Sequence, residues 1–153
     1  GFALGALGRV CDGVSGIRLG AREGIEGGAD FLKIMANGGA ASPTDPIHFL
    51  GFSREELLAV VEEAKNAGTY VAAHLYTDAA IRRAAEAGIH SLEHCNLIQL
   101  DTAKFAASQG AIAVPTLVTF EKLLAEGASS GYGPDALAKV EIVQSAGMGS
   151  LSI

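Results

Sequence analysis

The sequence predicts an α/β fold in which parallel strands alternate with helices, and three observations predict it. Helix-like stretches closed by glycine are each followed by a short apolar run, and this order repeats along the chain. The connections are short, which implies a parallel sheet joined by right-handed crossovers. Three of the runs also end in a residue able to bind a metal: Phe31-Leu-Lys33, Tyr70-Val-Ala-Ala-His74 and Leu92-Glu-His94. In an α/β barrel the strand ends form the active-site rim, where residues from separate strands converge.

The first helix is expected around 14–27, with Ile17, Ala21 and Ile25 at helical spacing and Gly27-Gly28 ending the pattern. A buried strand follows over 29–36. Asn37-Gly-Gly39 breaks it and opens a loop through Ser42-Pro-Thr-Asp-Pro46, whose prolines and small polar residues exclude regular structure. Ser53-Arg-Glu-Glu56 is a capping-box pattern, so a helix is expected over 54–66, with Leu57, Val60, Val61 and Ala64 on one face. A strand over 69–74 comes next. Thr77 or Asp78 caps a helix to about Ala87, and 89–94 forms another strand. Asp101 begins a helix ending near Gly110, which leads into a strand over 111–119. Beyond Phe120 the pattern reads as a helix and glycine-rich loop over 121–134 and a helix over 135–146, with 147–153 unassigned. Counting from the closing glycines, Lys33 lies five residues past Gly28, while His74, His94 and Thr116 each lie six past Gly68, Gly88 and Gly110. The unequal spacing and the lack of a sequence repeat oppose a solenoid.

Composition narrows the function classes. A chain of 153 residues that is 49% hydrophobic and 18% charged can bury a sizeable single core and is not expected to be disordered. Its net charge of -6 disfavours nucleic acid and anionic membrane as partners. No stretch approaches the roughly 18 apolar residues of a membrane span, so a soluble chain is expected. Cys11 and Cys95 are only two and far apart, which argues against a disulfide framework and for a reducing cytoplasm. The opening Gly-Phe-Ala-Leu-Gly has no basic, signal-like segment. It suggests a piece of something larger.

The residues that can carry chemistry follow from position. Lys33, set in an apolar run, either snorkels to the rim or is desolvated enough to act as a neutral amine. A neutral lysine can form a Schiff base, or take up carbon dioxide to become a carbamate, an anionic ligand able to bridge two metals. His74 alone reads as a structural histidine, but His94 occupies the same point of the next unit. Neutral imidazole is a common zinc ligand, and two on adjacent strands can share one ion. His90 starts its strand, away from the rim. His48 lies in the loop after the Lys33 strand, within possible reach of a substrate. Glu93 is expected to point opposite to His94, in a packing or salt-bridge role. Tyr76 offers a hydroxyl to a substrate oxygen or is a half-buried loop aromatic. Thr116 lines the site or packs. Pro115 within an apparent strand suggests a strand end or bulge.

Taken together, Gly28-Ala-Asp-Phe-Leu-Lys-Ile-Met-Ala-Asn-Gly-Gly39, Ala73-His-Leu-Tyr-Thr77, Gly88-Ile-His-Ser-Leu-Glu-His94 and Val114-Pro-Thr-Leu117 resemble the amidohydrolase superfamily. The nearest likeness is to its imidazolonepropionase-like branch, which includes Xaa-Pro and related dipeptidases. The resemblance implies a (β/α)8 TIM barrel of which residues 1–153 form a central portion, about strands four to seven, since a whole barrel takes about 250 residues. It implies that Lys33 is a carboxylated lysine bridging two zinc ions, that His74 and His94 are metal ligands, and that Tyr76 contacts substrate. The family's first-strand His-x-His pair and its eighth-strand aspartate, the proton acceptor, have no counterpart here. No catalytic residue is therefore assigned within the chain. The implied parent is a binuclear metal-dependent hydrolase of a peptide-type C–N bond, acting on dipeptides ending in proline or a basic residue, and this chain alone is expected to have little or no activity. A Schiff-base lyase using Lys33 and a non-catalytic barrel fragment are the alternatives. Unpaired strand edges would also permit a homo-oligomer.

Overall fold

The computed structural model describes residues 8–42 and 44–153. The opening segment read above and Pro43 of the loop lie outside them. The elements in chain order are α1 (Gly13–Glu26), β1 (Leu32–Met35), α2 (Arg54–Asn66), β2 (Val71–Thr77), α3 (Asp78–Ala87), β3 (Ser91–Leu97), α4 (Leu100–Ser108), β4 (Ile112–Val114), α5 (Leu117–Glu126) and α6 (Pro134–Ser150). The four strands form one sheet in the order β1-β2-β3-β4, every neighbour parallel. This is a section of a (β/α)8 barrel wall. No described helix is long and apolar enough to cross a membrane.

Local chemistry explains the helix starts and stops. At α2 the Ser53 hydroxyl accepts from the Glu56 amide at 3.2 Å and the Glu56 carboxylate accepts from the Ser53 amide at 2.7 Å, completing the capping box. Helix α3 ends at Gly88, whose φ of 87° is a left-handed conformation that glycine adopts without a Cβ clash.

Strand alternation then sorts side chains into two faces. Leu32, Val71, Ala73, Leu75 and Leu92 are buried against the helices, where they join Ile81, Ala84 and Ile89 in the main core. The other face looks toward the barrel axis. Register aligns Lys33, Ala72, Ser91 and Ile112 in one row across it, and Met35, His74, Glu93 and Val114 in the next. Met35 and Ile112 are 55% and 56% exposed, so this face is open. A smaller core of Ala40, Tyr76, Phe120, Val140 and Val143 gathers at the carboxyl ends of the strands.

Four element ends show how the structure departs from the sequence reading. The fourth strand stops at Val114 rather than continuing to 119, because Pro115 has no amide for the ladder and Thr116 turns left-handed at φ 49° before α5 begins. Strands β2 and β3 run past His74 and His94 to Thr77 and Leu97, so both histidines sit inside strands. Helix α6 continues through Gly147 to Ser150, where close approach decides: a Cβ on Gly147 would lie 2.7 Å from Leu117 and 3.0 Å from Asn96.

Helices α1 and α2 are joined by Glu63, whose carboxylate accepts from Arg22 at 2.7 and 2.9 Å and from Arg18 at 2.7 Å. These bonds, Arg22 first, hold the Glu63 pKa down at about 2. The cluster lies at the periphery, where solvent screening limits its worth.

Two outcomes are expected. Ile81→Ala, deleting a fully buried side chain, should cost about 2–5 kcal/mol in equilibrium denaturation, whereas Leu58→Ala, at a position 45% exposed, should stay within about 0.5 kcal/mol. A carboxylate with a depressed pKa adds stability above its unfolded value of 4.5 and loses it as pH falls through about 2. Glu63→Gln should remove that part of the acid dependence, measured as denaturation midpoints between those pH values.

Candidate metal centre

The site is built toward the carboxyl ends of β1, β2 and β3. His74, on β2, is 6% exposed, and its Nε2 lies 3.2 Å from the carbonyl oxygen of Gly38. A carbonyl only accepts, so Nε2 carries the hydrogen and Nδ1 keeps the lone pair. Burial lowers the pKa of His74; the Gly38 carbonyl opposes this, and the charge of Lys33 adds to it.

His94 reaches His74 through an unusual backbone. His94 and Cys95 have φ of 76° and 53°, two left-handed residues in succession without glycine. This turn swings the His94 ring to 4.8 Å from that of His74, centroid to centroid. Its Nδ1 lies 2.5 Å from the Thr116 hydroxyl. Thr116 is the remaining non-glycine residue with positive φ among those described, so all three cluster here. Each such conformation costs of order 1–3 kcal/mol and persists where surrounding structure over-determines it. Burial, then the proximity of His74 and Lys33, pushes the His94 pKa down to about 3. Both imidazoles are therefore neutral near pH 7, with lone pairs available.

Lys33 shares the inner face, one row below His74. Its pKa is lowered, chiefly by desolvation, while Glu93 works in the opposite direction. Glu93 itself lies on this inner face beside His74, and the left-handed turn brings His94 to the same neighbourhood instead of opposite it. The Ser91 hydroxyl donates to Glu93 at 2.6 Å; among the described residues Glu93 makes no ion pair.

The other sequence candidates separate. Tyr76 is 4% exposed, with its ring between His74, His94 and Phe120 and its hydroxyl against the Ala40 backbone. Burial raises its pKa to about 12, so it stays protonated. Thr116 joins the site through His94. His90 is exposed at the far end of the sheet, edge-on to Tyr70. His48 is exposed and packs edge-on to Phe49. Asn37, read from sequence only as part of a flexible turn, is 2% exposed and makes five side-chain hydrogen bonds, described below. The signal available was a buried amide closing an apolar strand, which must find partners.

Among the described residues no three His, Cys, Asp or Glu side chains converge to hold an ion. The donor set is instead two neutral imidazoles beside a lysine of lowered pKa. Those imidazoles suit a borderline divalent metal such as zinc, and a lysine poised toward its neutral amine suits carbamate formation. The residues present fit part of a metal site.

Known proteins similar to this chain are found both by sequence and by structure. The model of the Amidohydrolase family matches residues 6–147. Ochratoxinase of Aspergillus niger is 37% identical over 124 residues, covering 81% of this chain and 25% of that protein. A crystal structure of an amidohydrolase is 51% identical with a TM-score of 0.93, covering 97% of this chain and 36% of its own. A prolidase solved with N-methylphosphonate-L-proline is 50% identical, with a TM-score of 0.93 and the same coverage, 97% and 36%. The chain thus spans about a quarter to a third of the relatives it matches.

The lowered pKa of His94 ties the stability of the fold to pH. The folded state takes up its proton only near pH 3, the unfolded chain near 6.5, so metal-free protein should lose stability as pH falls between those values. NMR of labelled histidine should show the His94 ring still neutral at pH 5. A midpoint near 6.5 would contradict the buried geometry.

Proposed function

Because the chain belongs to the amidohydrolase family, we propose that it forms the central part, residues 1–153, of the barrel domain of a metal-dependent hydrolase that cleaves a peptide-type C–N bond. One observation carries this reading: a left-handed turn at His94 sets a second neutral imidazole against His74, on the inner sheet face that also holds Lys33. A packing role alone gives no reason for two unprotonated imidazoles to meet at strand ends.

In this reading His74 and His94 would hold a zinc ion through the ring nitrogens that Gly38 and Thr116 leave free. Second partners of this kind orient ligating histidines. Lys33, as its neutral amine, would form a C–N bond to carbon dioxide and release a proton to solvent, giving an anionic carbamate that would serve as a further metal ligand. When bound, such a metal pair supplies Lewis acidity toward a scissile carbonyl and lowers the pKa of a water. The chain's own residues fix the geometry. Tyr76 closes one side of the site, and its hydroxyl, held on the Ala40 backbone, is the group proposed to contact substrate.

The 50%-identical prolidase with its proline analogue supports a dipeptide substrate with C-terminal proline. A C-terminal basic residue is the variant reading. This chain supplies two histidines and one lysine, so catalysis needs ligands and a proton acceptor from further strands. A cytoplasmic location, and self-association through the edges of β1 and β4, complete the proposal.

In the intact protein that carries this chain, chelation should abolish hydrolysis of Xaa-Pro dipeptides and zinc should restore it. Lys33→Ala should lower kcat by about 100-fold or more, consistent with loss of a bridging metal ligand. Chelator-resistant activity would overturn the proposal. So would trapping of Lys33 by borohydride with a carbonyl substrate, the mark of a Schiff-base lyase.

A further inference from the structure

The loop between β1 and α2, described over 37–42 and 44–50, is fastened by two side chains outside the metal-binding set. The Asn37 amide donates to the carbonyls of Ile47 and Phe49, both at 2.7 Å. Its oxygen accepts from the amides of Tyr76 and Thr77 at 2.8 and 2.9 Å, and from the Thr77 hydroxyl at 3.3 Å. One side chain therefore ties the returning half of the loop to the end of the strand that carries His74. Lys139, from α6, grips the outgoing half: its ammonium donates to the carbonyls of Gly39 at 2.8 Å, Asp45 at 3.1 Å and Ser42. The Asp45 carboxylate accepts from the Gly39 amide at 2.9 Å and closes the ring.

Gly38 lies between these two anchors. Its amide donates to the Phe49 carbonyl at 2.9 Å, and a Cβ there would collide with the Pro46 carbonyl, so the loop folds back on itself at this point. The Gly38 carbonyl is the group that meets His74 Nε2. Its position follows from the fold of the loop and from the two side chains that anchor it.

We propose that Asn37 and Lys139 are positioning residues that act through Gly38: by immobilising 37–50 they hold its carbonyl against Nε2 of His74 and so fix the tautomer that leaves Nδ1 free to bind a metal. The functional consequence rests on the metal reading above; the tautomer does not. A buried hydrogen-bonded network is worth most when every member is satisfied, and removing one anchor leaves the others short of partners. Loss of such outer partners typically lowers metal affinity about 10–100-fold.

The test is long-range 15N NMR of labelled histidine in the intact, metal-free protein, with hydrogen exchange of the loop and zinc titration alongside. Wild type should show His74 protonated at Nε2. Asn37→Ala and Lys139→Met should each mix the tautomers, speed amide exchange across 38–49 and weaken zinc binding about 10-fold or more. Lys139 is half-buried at the helix surface, so Lys139→Met keeps the test decisive where Asn37→Ala fails to fold. Lys139→Arg, which retains donors, should restore much of the effect. A wild-type His74 protonated at Nδ1, or a Lys139→Met protein with unchanged tautomer and loop exchange, would overturn the proposal. The tautomer change without zinc binding by wild type would support the positioning role and sink the metal reading instead.

Discussion

Two left-handed residues in succession, His94 and Cys95, are the constraint on which the site depends. Without that turn, strict alternation along β3 would send His94 to the face opposite Glu93, under the helices. With it, the ring meets His74. The unfavourable backbone is held from both sides: Cys95 is 3% exposed in the main core, and Asn96, 1% exposed, donates to the Val143 carbonyl of α6 at 2.9 Å. Phe120 packs edge-on to the His94 ring at 5.6 Å, and Thr116, itself left-handed, meets its Nδ1. Local strain is thus offset by packing and hydrogen bonds that exist only in the assembled fold.

The helix layer and the open face divide the labour. Residues of one strand parity fill the core against α1 to α4, and that burial supplies most of the stability. The other parity is freed for chemistry. Lys33, His74 and Glu93 occupy it together with apolar Met35, Ile112 and Val114, so the charged groups stand in partly desolvated surroundings without being sealed in the core. That setting explains why Lys33 shifts toward its neutral form while Glu93 resists the shift.

Much of this was legible in the sequence. The closing glycines and the Ser53 capping box located α2, α3 and the strands that follow, because these signals are local. The equal offset of His74 and His94 from Gly68 and Gly88 placed both at one end of the sheet before any coordinates. What failed was non-local. The sequence reads as a strand to 119, yet the strand ends at Val114 beside Pro115, the strand end that this proline suggests, and α5 claims Leu117 onward to bury Phe120. The helix read over 135–146, with 147–153 unassigned, runs on to Ser150, and Gly147 lets α6 approach Asn96. The turn at His94 carries no glycine and so gave no sign. Asn37 was visible as part of a turn, and only its partners ten and about forty residues away reveal its work.

The account stands on His74 and His94 binding one ion together. A double-mutant cycle on zinc affinity in the intact protein tests this directly, using His74→Ala, His94→Ala and the pair. Ligands of a shared ion should be strongly coupled, with the double variant binding little worse than either single one. Additive losses, or single variants that bind zinc as wild type does, would show that the two imidazoles do not share a metal.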